Sequence, residues 1–181
     1  MVGDGGCGKS SFSKRITYDQ FDTFYSTTMG FDFFKKTYTR PTPTCTTPLQ
    51  FNLHLWDTGG REGMKTVIRS SYLGSDGFVI FYDVTRLATF EHVPEYLQEI
   101  RTVMGSSSYS CFLVGNKTDL SSERAVSTET GQALATSLGL PFFELSMKEG
   151  TKVNQLVECI LDELVQYLPE PPPPEESPSL F

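Results

Sequence analysis

The chain has 181 residues, of which 38% are hydrophobic and 20% charged, and its formal net charge is -7. That is enough for one well-buried core and too little for two ordinary domains. The acidic balance, with no basic run longer than Lys35-Lys36, argues against a nucleic-acid binder. No run of about 18 apolar residues is present, so no helix spans a bilayer. Met1-Val2-Gly3-Asp4 lacks the basic and apolar regions of a signal peptide. Cys7, Cys45, Cys111 and Cys159 are far apart and form no CxxC pair, so they read as reduced, cytosolic thiols.

In chain order, the first feature is Gly3-Asp4-Gly5-Gly6-Cys7-Gly8-Lys9-Ser10, which fits GxxxxGK[ST]. Glycines let the backbone turn tightly enough to aim several N–H groups at one phosphate. Lys9 adds a cation for the β and γ phosphates, Ser10 offers a hydroxyl to Mg²⁺, and Ser11 follows them into the site. A helix from Lys9 to about Thr17 points its positive end at the same anions. Next, Arg40-Pro41-Thr42-Pro43-Thr44-Cys45-Thr46-Thr47-Pro48 carries three prolines and predicts a long loop between two strands. Phe51, Leu53 and Leu55 alternate with polar Asn52 and His54, a strand with one buried face. It closes on Trp56-Asp57-Thr58-Gly59-Gly60, where the Asp57 carboxylate can hold a water on Mg²⁺ and Gly60 can offer its N–H to a γ-phosphate.

Phe78 to Val84 and Cys111 to Val114 are short apolar runs, as in strands buried on both faces. The second leads into Asn116-Lys117-Thr118-Asp119. A carboxylate at Asp119 can accept from both N1–H and the 2-amino group of guanine, a donor pair adenine lacks. Lys117 can lie along the ring and Asn116 can tie loops together. Ser127 and Thr128 cap a helix reaching Leu138, Phe142 to Leu145 is a weaker strand, and Val153 to Leu168 is apolar at helical spacing. The Pro- and Glu-rich segment 169–181 is expected as an extended, disordered tail. His54 and His92 have no Cys, Asp or Ser constellation near them and read as structural residues. Alternating strands and helices give an α/β fold with a mostly parallel sheet covered on both faces. Ligands of such sheets sit beyond the carboxyl ends of the strands, where the three motifs fall.

The three motifs in this order resemble the Ras-like small GTPases, from Val2 to about Leu168. Thr28-Met29-Gly30-Phe31-Asp32-Phe33, Tyr82-Asp83-Val84-Thr85 and Thr89-Phe90 look like the Rab branch, and Glu144-Leu145-Ser146-Met147-Lys148 is similar to its ExSAK loop. The resemblance implies a P-loop G domain at 1–168 with a six-stranded sheet whose first strand is largely missing. It implies GTP/GDP and Mg²⁺ as ligands, with Thr28 joining Ser10 and Asp57 at the metal. Phe21 should lie against the guanine, and Ser146, Met147 and Lys148 on its other side. Effectors, an exchange factor and an activating protein should read Thr28-Phe33 and Gly60-Tyr72, and the chain should act as a monomer in Rab-type vesicle trafficking. The hydrolytic machinery would comprise Lys9, Thr28, Gly60 and Arg61.

Five departures qualify that expectation. Arg61 stands where the family has a Gln that orients the attacking water. A guanidinium has donors and no acceptor, so hydrolysis should be slow. Gly59 stands where the family has Ala and should loosen the second switch. Only Met1 and Val2 precede Gly3, which reads as a chain short of upstream strand residues. No terminal prenylation cysteines and no polybasic stretch are present, so no direct lipid anchor is evident and any endomembrane association would be peripheral, through partners. Glu62-Gly63-Met64-Lys65 also differs from the usual Rab surface. The competing readings are a non-hydrolysing nucleotide-bound scaffold, which Arg61 favours, and an ATP-using P-loop kinase, which Asn116 to Asp119 oppose.

Overall fold

The computed structural model describes residues 1–24, 26–42, 45–59 and 70–165. Across them, strands and helices alternate as β1 (Val2–Gly3), α1 (Lys9–Tyr18), β2 (Phe31–Thr42), β3 (Cys45–Thr58), β4 (Gly77–Asp83), α2 (Leu87–Glu91), α3 (Val93–Met104), β5 (Ser110–Asn116), α4 (Thr128–Leu138), β6 (Phe142–Glu144) and α5 (Val153–Val165). Leu168, the expected domain end, and the tail 169–181 lie outside the described residues, as do Gly60 and Arg61.

The expected α/β architecture is present, with one difference in the sheet. Four parallel strands run in the order β1-β4-β5-β6, while β2 and β3 form a separate antiparallel ribbon. The division follows from the length of β1. It meets β4 only at Val2 opposite Ile80 and Gly3 opposite Phe81. Toward β3 it offers two hydrogen bonds, from the Met1 amino group to the Trp56 carbonyl at 2.9 Å and from the Thr58 hydroxyl to the Met1 carbonyl at 2.7 Å. One of those two bonds comes from a side chain, so no backbone ladder continues from β1 to β3 and the ribbon stands as its own sheet.

Side chains of β4 alternate between two cores. Val79 and Phe81 face Phe12 and Ile16 of α1 and Val153, Leu156, Val157, Ile160 and Leu161 of α5. Phe78, Ile80 and Tyr82 face Val93, Leu97, Ile100 and Met104 of α3, and Ala135 of α4. Helical periodicity in α3 and α5 is therefore the imprint of one buried stripe each. Pro94 fits the first turn of α3, where its missing N–H costs nothing. The Ser127 hydroxyl accepts from Thr130 N–H at 3.2 Å and caps α4.

The long loop expected at 40–48 is a correction. The ladder continues through Thr39 opposite Gln50 and Arg40 opposite Leu49, shifts register, and ends with Thr42 opposite Cys45. Both strands of a two-stranded ribbon are edges, and an edge tolerates proline where its N–H would face solvent. Pro43 and Thr44 lie outside the described residues. The carboxyl ends of β1, β3, β4, β5 and β6 lead into the loops that carry Gly3 to Gly8, Thr58-Gly59, Asp83, Asn116 and Ser146.

Candidate functional site

Between β1 and α1 the chain turns through the Gly-rich loop, and Gly8 enters the helix at φ 104°. A Cβ there would stand 2.0 Å from Asn116 Nδ2, so only glycine fits. Asn116 uses that closeness. Its Nδ2 donates to the Cys7 carbonyl at 2.9 Å and its Oδ1 accepts from Met147 N–H at 3.1 Å, so one buried amide joins the first loop to the last. Lys9 is buried, and its Nζ donates to the carbonyls of Gly3 (2.6 Å) and Asp4 (2.8 Å). Burial pulls its pKa down. The Cys7 side chain faces the core, leaving only its backbone to the loop.

Asp4 turns its carboxylate the other way. Oδ1 accepts from the Tyr96 hydroxyl at 2.7 Å, and Oδ2 lies 2.9 Å from His92 Nδ1. The expectation that His92 has no Asp partner is thereby corrected. Its partner is 88 residues distant in sequence, beyond the reach of local pattern.

Beside the loop lies a set of hard oxygen donors. Ser10 Oγ and Thr28 Oγ1 are 2.9 Å apart. Asp57 is 0% exposed, and neither carboxylate oxygen has a hydrogen-bond partner among the described residues. Burial raises its pKa, while the Ser10 hydroxyl and Lys9 ammonium act against that. An orphaned buried carboxylate is costly unless a cation meets it. Two hydroxyls and one carboxylate suit Mg²⁺, so these residues fit that ion. Gly59 N–H donates to the Gly30 carbonyl at 2.8 Å, which draws the Thr28 segment onto the end of β3.

A cavity of about 440 Å³ runs from Gly5, Lys9 and Ser10 past Phe21 and Thr28 to Lys117, Asp119, Met147 and Lys148. At its far end the Ser146 hydroxyl donates to Asp119 Oδ1 at 2.6 Å, and Lys148 Nζ lies 3.9 Å from Oδ2. Lys117, at φ 72°, is paired with buried Asp83 at 2.6 Å. Arg15 of α1 donates to the Met147 carbonyl at 2.8 Å and the Lys148 carbonyl at 2.8 Å, clamping the loop from below. Nothing local marks Arg15, 132 residues from Met147. Asp83 had a signal, since it ends an apolar strand beside the motif that follows β5. Gly3, Asp4, Cys7, Ser146 and Asp57 stand behind the cavity wall, while Gly60 and Arg61 lie outside the described residues.

The outer face of the ribbon carries an aromatic ridge. Phe31 and Phe33 flank Trp56 with ring centroids 5.3 and 5.0 Å away, and Phe33 is 50% and Trp56 37% exposed. Exposed Met29 precedes them. Clustered exposed apolar side chains suit a protein contact, and Trp56 extends the cluster beyond the Thr28-Phe33 segment singled out from sequence.

The family model described as "Ras family" matches residues 1–166. The chain belongs to the Ras family. It is 39% identical over 155 residues to Ras-related protein RABD2b of Arabidopsis thaliana, covering 86% of this chain and 73% of that one. To GTP-binding protein Rab-3D of Rattus norvegicus it is 36% identical over 178 residues, 98% of this chain and 78% of the relative. To Ras-related protein Rab-3B of Homo sapiens it is 37% identical over 162 residues, 90% and 71% respectively. These relatives place this Ras-family chain on the Rab side, and as a family member it is a small GTPase. Among the described residues, no helix is long and apolar enough to cross a membrane.

Proposed function

We propose that the chain is a Rab-type switch that binds GTP or GDP with Mg²⁺, hydrolyses GTP slowly, and presents its ribbon face to effectors in vesicle traffic. The observation that carries this reading is one cavity with a glycine-lined loop and Lys9 at one end and the Asp119 carboxylate at the other. Asp119 accepts from the two donors on the guanine edge, and the Ser146 hydroxyl fixes its orientation. Phe21 and the Lys117 stem bracket the base. Backbone N–H groups of residues 5–10 and the Lys9 ammonium hold phosphate oxygens.

Mg²⁺, when bound, offsets charge shared by the β and γ phosphates. Ser10 and Thr28 would hold it, and the Asp57 carboxylate would help fix it. Water attacks the γ-phosphorus, the bond to the bridging oxygen of GDP breaks, and inorganic phosphate leaves. Arg61 has no acceptor with which to orient that water, which supports a long-lived GTP form. Thr28 and Gly60 engage the γ-phosphate, so the Thr28-Phe33 segment and Gly60-Tyr72 change with the nucleotide. Effectors, an exchange factor and an activating protein then read that state, and bring the chain to endomembranes as a peripheral monomer. The G domain is assigned to 1–168 and the segment after it to a tail.

Chromatography of the nucleotide released on denaturing the purified chain tests this directly, GDP or GTP being expected and adenine nucleotide not. Asp119→Asn removes a charged acceptor from the base edge, and GDP affinity should fall about 100-fold, the worth of one or two charge-assisted hydrogen bonds. Undiminished affinity in that variant would overturn the assignment of the base end.

A further inference from the structure

The first loop is gripped from outside as well as from within. Arg86, just after β4, donates from Nη1 to the Gly5 carbonyl at 3.0 Å. Tyr96 and His92 hold the two oxygens of Asp4 at 2.7 and 2.9 Å. The Asp4 carbonyl meanwhile accepts from Lys9 Nζ at 2.8 Å. One residue thus faces α3 with its side chain and holds the phosphate-binding lysine with its backbone. A carboxylate is an odd neighbour for phosphates, because it adds repulsion to a site built for anions. We propose that His92 and Tyr96 are positioning residues of the phosphate cradle, acting through Asp4, and that the charge on His92 sets how tightly the cradle holds its nucleotide. This rests on the reading of the cavity as a guanine-nucleotide site.

His92 is 48% exposed on its side chain and exchanges protons freely with solvent. The charged and titratable groups facing it are Asp4 from the loop, Glu91 and Glu95 from its own stretch of chain, and the adjacent Tyr96. The hydrogen bond to Asp4, then its charge, raise the His92 pKa above its ordinary value, and Glu95 and Glu91 add to this. The Tyr96 hydroxyl is pushed up by burial and by Asp4, so it stays protonated throughout. Below the raised pKa the imidazolium offsets the Asp4 charge. As pH rises through it, the offset is lost. The neutral ring still donates from Nδ1, so geometry persists while net charge beside the phosphates becomes more negative by one. Affinity for an anionic nucleotide therefore falls as pH rises.

The test is dissociation of fluorescent GDP from the full chain with Mg²⁺, followed from about pH 6 to about pH 9 around the ordinary imidazole value. The wild-type rate should rise about fivefold across a single titration, the size expected of one charge near the phosphates in a partly screened site. His92→Gln can still donate an amide N–H without charge, and should be flat at the wild-type high-pH rate. Asp4→Asn should release more slowly at high pH, with its step moved down toward the ordinary imidazole value, and Tyr96→Phe should be faster by one factor at every pH. NMR titration should place the His92 ring above a free imidazole, and back near it in Asp4→Asn. That measurement needs no nucleotide and covers a variant that folds poorly. A flat wild-type profile through the His92 titration, or a wild-type profile in His92→Gln, overturns the proposal. GDP failing to associate at any pH overturns the nucleotide reading instead, and the ring titration still decides whether His92 senses Asp4.

Discussion

Asp57 shows what a single buried residue asks of its ligand. Its carboxylate has no hydrogen-bond partner among the described residues and burial raises its pKa, so a divalent cation beside it would favour the charged form. Arg61 makes the opposite point, because the expectation it carries is purely chemical: a guanidinium offers a water no acceptor. With a Gln amide in its place, a water can be both donor and acceptor partner, and single-turnover GTP hydrolysis by Arg61→Gln should run about tenfold faster than wild type. An equal or slower rate would show that the guanidinium is not what limits hydrolysis. At this scale the sequence was readable wherever the chemistry is local. Lys9 and Ser10, or Asn116 and Asp119, lie within a few residues of each other and reach one cavity. Arg15 and His92 were not readable as site residues, because their partners lie far along the chain and only folding brings them together.

Between elements, close backbone approach decides more than propensity. A Cβ on Gly59 would stand 2.6 Å from the Thr28 carbonyl and 3.2 Å from that of Gly30. Gly59 is thus less a loose hinge, as its sequence position suggests, than the space into which the Thr28 segment packs. Gly59→Ala must displace that backbone, at a cost of about 2 kcal/mol. Its melting temperature should drop by about 5 °C for a chain of this size. It should also release GDP faster, as Thr28 moves off Ser10; unchanged melting and release would show that the segment yields freely. Helices α3, α4 and α5 were legible because each needs one buried stripe and ordinary caps. The ribbon end was not, since the proline rule that predicts a loop applies to a strand with neighbours on both sides.

For the molecule as a whole, the order of strands and helices follows from the pattern, but the sheet's division does not. Apolar runs at 78–84 and 111–114 announce strands without stating which neighbour each finds. The four-stranded sheet is bonded along its length, β4 to β5 at seven successive positions. The β2–β3 ribbon is fastened to it by packing of Leu53 and Leu55 on Phe12 and by the two bonds at Met1. Native-state hydrogen exchange should therefore find amides of 31–39 and 50–58 opening under milder denaturant than those of 78–83 and 111–116. Simultaneous loss of protection would mean the two parts unfold as one.

Such a joint also has a mechanical meaning. A load applied at the Phe31, Phe33 and Trp56 ridge bears on a two-ply plank seated on side chains, and the plank can shear or tilt without tearing a woven sheet. The rope between plank and nucleotide is short: Trp56 is next to Asp57, and Gly59 is stitched to Gly30. Tugging on the ridge is thereby tugging on the residues we propose as the metal's ligands.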